Sequence, residues 1–306
     1  MKGTGFSPYP SFLAQTSNAI VRPSVDTGIS YLPRGDTLSV DSLELQQGEK
    51  AMALFKTSNP ALSDKTFNDY SNTRYGGAIE AASRMTLSGT VNKTGILLVC
   101  ALVTAGWTWH QFLQTRDAAD VMLPMMAGLL GGFICAMVTV FKREWSPVTA
   151  PIYALLEGLA LGGISAVVDL RYPGIAIQAV GLTFGTLFVL LLVYSTGVIK
   201  VTNKFRIGVV AATGGIALFY LAQMLMGFFG FRFAAINGSG FIGIGFSLIV
   251  VAVAALNLVL DFDFIERGVE CGAPKYMEWY GAFGIMVTLV WLYLEILRLL
   301  SKLRRR

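Results

Sequence analysis

An all-α polytopic membrane protein is the fold class this sequence predicts, a seven-transmembrane-helix bundle behind a disordered N-terminal tail. Three observations carry that expectation. The 306 residues are 54% hydrophobic and 14% charged, with mean hydropathy +0.59. The apolar residues fall in runs of about twenty, the length that about 30 Å of hydrocarbon requires at 1.5 Å per helical residue. The breaks between runs, of about six to eighteen residues, leave no room for a second folded domain.

The runs are Gly95 to Leu113, Val121 to Phe141, Ala150 to Val168, Ile175 to Ile199, Ile207 to Phe229, Phe241 to Leu260 and Trp279 to Leu297. Each is too long and too free of charge for an ordinary soluble core helix. Residues 1–90 are rich in Ser, Thr, Asn, Gly and Pro, their longest apolar patch being "AMALF" at 51–55, and read as a disordered cytoplasmic tail. The membrane domain is expected over 91–301, with a basic C-terminal tail at 302–306.

Met1 to Gln15 lacks an apolar h-region, so no signal peptide is expected and the N-terminus is placed in the cytoplasm. Loop charges agree: Arg84, Lys93, Lys142, Arg143, Lys200, Lys204, Arg206, Arg267 and Lys275 fall on the tail side, against Arg116, Arg171 and Arg232 on the other. Lys302, Arg304, Arg305 and Arg306 run against that bias. A last segment that re-enters would leave "KLRRR" beside anionic lipid, but the helical pattern through "LEILRLL" favours a full seventh span. The expected location is an integral membrane protein of a bacterial inner membrane.

Several enzyme classes are excluded by count. One histidine, His110, rules out a His-cluster metal site and a Ser/His/Asp triad, and beside Trp107 and Trp109 it reads as interfacial. Cys100, Cys135 and Cys271 have neither disulfide nor zinc spacing. "NGSGF" at 237–241 does not match a rhomboid-like protease, Asp261 and Asp263 do not make a two-helix aspartyl dyad, and no GxxxxGK[ST] loop occurs. No enzymatic activity, resident cofactor or nucleic-acid partner is expected.

Small residues recur four apart at Gly128 and Gly132, Gly158 and Gly162, and Gly181 and Gly185, which predicts close helix packing in one compact bundle.

The acids carry the functional expectation. "LVLDFDFIERGVE" (258–270) ends the sixth run with Asp261 and Asp263 at a predicted helix C-terminus, where carboxylates are disfavoured, while Glu266 and Glu270 read as solvated loop charges. Lys142 and Arg143, at the same side on the second run, are candidate partners. In "IYALLEGLALGG", Glu157 lies roughly 10 Å into the third span if Pro151 marks its first turn. An intramembrane acid costs about 2.5–3.5 kcal/mol on insertion scales and by default faces an interior or wet cavity. Asn257, one turn before Asp261, shares its face. Two carboxylates held close cannot both ionise, so Asp261, Glu157 and Asp263 form a candidate pH sensor and gate. When ionised, Asp261 and Glu157 would offer a cation such as calcium transient oxygen contacts. Glu295 and Arg298, three apart, read as a neutralising pair, and Glu278 with Trp279 and Tyr280 as an interfacial anchor.

The segments 260–300, "IYALLEGLALGGIS" (152–165) and "TSNPALSDKTF" (57–67) resemble bacterial members of the transmembrane Bax inhibitor motif family, the Bax inhibitor/YccA/YetJ group. The resemblance covers about residues 57–300. It implies seven helices with the last near the bundle centre, and a pH-sensitive cation leak, best described for calcium. It also implies a sensor of two aspartates, on the sixth and last helices, with an arginine on the second. Asp261 matches the first aspartate by its place before "FDFI", the arginine falls at Lys142 or Arg143, and the second aspartate's position is Thr288. Threonine donates a hydrogen bond but cannot share a proton as an acid, so the second acid is expected from Glu157, whose depth agrees with Asp261, ahead of Glu295. The alternative is a non-transporting membrane regulator that binds a membrane protease or a stress- or death-pathway partner.

Overall fold

The computed structural model describes residues 84–230, 236 and 238–305. Most of the predicted tail, with "TSNPALSDKTF", lies outside the described residues. Seven long apolar helices follow one another: α1 (Leu87–Thr115), α2 (Ala118–Phe141), α3 (Ser146–Arg171), α4 (Ile175–Ser195), α5 (Asn203–Phe228), α6 (Phe241–Glu270) and α7 (Met277–Arg304). A 3-10 turn, Arg143–Trp145, joins α2 to α3. The described residues contain no strand, only an isolated bridge between Arg84 and Pro274.

Contacts at both ends of the bundle show α6 and α7 running antiparallel between its two faces. At the face where α1 begins, Met85 N–H donates to Ala273 O (2.7 Å) and Ser146 Oγ to Tyr276 O (3.0 Å). At the opposite face Lys302 Nζ, near the end of α7, donates to Gly243 O (3.0 Å) and Ser247 Oγ (2.8 Å) at the start of α6. The seventh segment is therefore a continuous crossing and not a re-entrant one.

Helix ends differ from the expected runs where polar groups are satisfied within the bundle. α1 opens at Leu87, capped by Thr86 Oγ1 accepting from Gly89 N–H (3.1 Å), so residues 84–90 belong to the membrane domain and not to the tail. α3 opens at Ser146 with Pro147 in its first turn, which places Pro151 inside the helix. α6 runs ten residues past Leu260, so Asp261 and Asp263 lie well inside it, and Glu266 and Glu270 are helical rather than in a loop. Side-chain partners for Asp261, Asp263 and Glu266 are what let the helix continue. α7 likewise runs on through Lys302, which is buried and bonded inward instead of standing in a basic tail.

Packing follows the glycines in part. A Cβ on Gly128 would lie 2.4 Å from Leu156 O, and one on Gly158 2.0 Å from Thr104 Oγ1. Helix α3 thus meets α2 and α1 at backbone-to-backbone distance, where dispersion contact replaces the apolar driving force that lipid removes. Gly181 and Gly185 do not do this, since a Cβ on either meets nothing within 4 Å. We expect Gly158→Ala to lower the thermal unfolding temperature of the detergent-solubilised protein by several degrees, at about 1–3 kcal/mol for overpacking. Gly181→Ala should leave it unchanged or slightly raised.

The core sits on α7. Of its apolar window 67% is buried, against 11% for α5. Helices α6, α1, α4 and α3 all pack on α7, and fully buried side chains along it include Tyr280, Phe283, Leu292 and Glu295.

Candidate functional site

From the face where α1 begins, α6 descends through nine residues from Glu270 to Asp261, and α7 through eleven from Met277 to Thr288. At 1.5 Å per residue both positions lie about 13–17 Å along their helices, at matching depth in the membrane interior. There Thr288 Oγ1 donates to Asp261 Oδ2 across 2.6 Å. Both residues are buried, Asp261 at 1% exposure and Thr288 at 4%. The hydroxyl also reaches Gly284 O at 3.3 Å, so Asp261 holds its nearer bond. At this depth α6 and α7 are paired through a carboxylate and a hydroxyl.

Other polar groups continue this seam onto α5. Asn257, one turn from Asp261 and buried, donates to Thr213 Oγ1 on α5 (2.7 Å) and to Val253 O (2.8 Å). Asp263, turned to another face of α6, accepts from Arg206 Nη2 on α5 (2.9 Å) and pairs with Arg267 one turn later. Tyr194 on α4 donates to Glu266. Two acids only two residues apart are thus tolerated because one faces α7 and the other α5.

The remaining predicted residues are distributed differently. Lys142 stands over the Trp145 ring (5.0 Å) and Arg143 over the Tyr280 ring (5.9 Å), each on an aromatic face and not against an acid of α6. The arginine that meets α6 is Arg206. Glu157 is half-buried on the side of α3 that faces α2, where a Cβ on Gly132 would stand 2.9 Å from its Oε2. No hydrogen bond or ion pair joins it to Asp261 among the described residues. Glu295, at 2% exposure, accepts from Arg298 Nη1 (2.8 Å) and from Tyr220 OH (3.0 Å), so the expected pair also engages α5. Among the described residues no group of three or more His, Cys, Asp or Glu side chains is assembled to hold a metal ion.

Sequence reasoning assigned Arg206 only to the loop-charge count. Its signal was topological: a basic residue in the first turn of the fifth span, opposite the acidic end of the sixth. A cation there opposes the helix dipole as much as an aspartate opposes it at a C-terminus, and each answers the other. Thr213 and Ser247 gave no signal, because a hydroxyl within an apolar span usually bonds its own helix.

A second polar cluster ties α7 to α1. Glu278 in the first turn of α7 is fully buried and accepts from Thr86 N–H (2.8 Å), Thr86 Oγ1 (2.7 Å), Lys275 Nζ (2.8 Å) and Lys93 Nζ. A Cβ on Gly89 would overlap its carboxylate, so the approach requires glycine there. The expected anchor is present, directed into the bundle and not toward the interface.

No match was found among the curated proteins or the solved structures compared with the chain. The Bax inhibitor 1 like family model, however, matches residues 59–305, which takes in every helix from α1 to α7. Seven apolar spans, a last helix at the bundle centre and a buried α6–α7 contact built on Asp261 accompany that match, and the chain is a membrane protein of the Bax inhibitor 1 like family.

Proposed function

We propose that the protein is a pH-sensitive cation leak, calcium being the expected permeant ion, in which the Asp261–Thr288 contact holds the closed arrangement. The observation that carries this reading is the 2.6 Å hydrogen bond between two buried side chains on α6 and α7. A buried acid in the middle of a bundle is stable only when paired, and its protonation changes what it can pair with. The hydroxyl donates best to an ionised Asp261, since a charge-assisted bond is about twice as strong as a neutral one. Protonation therefore loosens the contact. The sign is opposite to that of two carboxylates, which repel when both ionise and come together when they share a proton. Leak through this protein is accordingly expected to rise as pH falls.

The test is calcium flux in liposomes reconstituted with purified protein, measured against pH. Asp261→Asn should flatten the pH response, whereas Glu157→Gln, on the α2–α3 side, should preserve it. Absence of flux at every pH sinks the reading; a response lost in Glu157→Gln but kept in Asp261→Asn moves the sensor to α3.

A second reading, a non-transporting regulator of a membrane protein partner, is favoured by α5. That helix is the least buried of the seven, meeting α6 along its length and α7 through Tyr220, and its Leu218, Leu221, Met224 and Leu225 are exposed. Deleting residues 1–58, ahead of the family match, separates tail from bundle without cutting Met85 and Thr86 from α7: flux should survive and tail-dependent partner binding should not.

A further inference from the structure

Between α1 and α4 the bundle is not closed. Helix α1 packs on α3 and α7, and α4 on α7, α6 and α3. The two flank a cavity of about 350 Å³ whose back wall is α3 and α7. On α1 the lining runs from Leu98 to Trp109, and on α4 from Ala176 to Phe184. The mouth is lateral: Leu102 and Ile177 on its rim are 48% and 73% exposed, and a Cβ on Gly106 meets nothing within 4 Å. Residues so exposed on apolar spans face hydrocarbon.

We infer that this crevice is a binding site for one hydrocarbon chain of a membrane lipid. Shape is the first argument. The lining on α1 runs from Leu98 to Trp109, about 16 Å along the helix, so the crevice is elongated, the form that an extended chain occupies.

Dryness is the second. The hydroxyls on the wall are already engaged: Ser165 Oγ and Tyr293 OH are bonded to each other at 2.5 Å, and Thr183 Oγ1 donates to Ala179 O at 2.8 Å. A cavity with so few polar partners to offer does not hold water. Left empty, its walls forfeit dispersion contacts that a chain restores.

Direction is the third. Trp109 lies near the end of α1 and Ala176 at the start of α4, both toward the opposite face, so the chain enters from that leaflet and reaches toward the bundle centre. Met286, Leu289 and Val290 of α7 line the same space. The chain thus backs the turn of α7 that carries Thr288. The site stands whether or not the protein conducts ions.

Trp107 and Trp109 supply a test at a single depth, since two residues of helix turn them about 200° apart. Trp107 is 51% exposed, whereas Trp109 lines the crevice. Single-tryptophan proteins, the other four tryptophans replaced by Phe, are reconstituted in phosphatidylcholine brominated in its acyl chains. Both indoles should lose at least half their fluorescence. Adding Gly106→Phe, or the smaller Gly106→Leu, should at least halve the quenching of Trp109 and leave that of Trp107 unchanged. Native mass spectrometry, which needs no tryptophan replacement, should find one phospholipid retained by the natural sequence and lost in Gly106→Phe. Trp109 unquenched, Trp109 quenched equally with the crevice filled, or equal lipid retention in both proteins would overturn the assignment.

Discussion

Thr288→Asp should reverse the direction of the pH response, so that leak falls with decreasing pH instead of rising. The hydroxyl now donates to Asp261 across 2.6 Å, and the new carboxyl would stand in the same place. Two carboxylates at that separation cannot both ionise without strong repulsion, so the pair closes when it shares a proton and separates when it loses it. Thr288→Val is the complementary case. It keeps the shape and removes the donor, and a hydrogen bond to a charged group is worth about 1.5–3 kcal/mol. Leak at a pH where Asp261 is ionised should rise about ten- to a hundredfold, as measured by liposome calcium flux. A Thr288→Asp protein whose response keeps the natural sign would show that the α6–α7 contact does not set the gate.

Glu278→Ala should be the most destabilising single change in the bundle. Its carboxylate is fully buried among four donors from three residues, two of them cationic. Removing it takes away the acceptor of the Lys93 ammonium, which is 17% exposed, and of the Thr86 N–H and hydroxyl. Breaking a buried pair from one side costs about 3–5 kcal/mol, and Lys275, half-exposed, recovers its hydration. We expect the lower end, about 3 kcal/mol, or a fall of roughly 6–12 °C in the thermal unfolding temperature of the solubilised protein. Glu278→Gln should fall between the two, since it keeps one acceptor and loses the charge. Lys275→Ala should have little effect, because an exposed pair contributes at most about 1 kcal/mol. If Glu278→Ala unfolds at the natural temperature, the α1–α7 tie is dispensable.

Both predictions rest on one physical point. In lipid, apolar surface does not drive helices together, so polar pairs and close backbone approach decide which helix meets which. Gly128 and Gly158 do this for α2, α3 and α1; Asp261, Asp263 and Asn257 do it for α5, α6 and α7. Gly181 and Gly185 have the same spacing and meet nothing, because spacing says which residues share a helix face but not what lies opposite.

That division marks what the sequence by itself determined. Seven spans, their order and the need of Asp261 for a partner follow from run length and the expense of an acid in hydrocarbon, both local properties of the chain. Thr288 is singled out by the family resemblance, as the position expected of a last-helix aspartate, and the structure places its hydroxyl on Asp261. Only the tertiary structure decided the rest. Arg206, not Lys142 or Arg143, meets the acids of α6; Glu157 turns toward α2; Lys302 turns inward onto α6. Each of those outcomes depends on rotation of a helix about its own axis, which small differences in packing at distant positions set and which no stretch of twenty residues encodes alone.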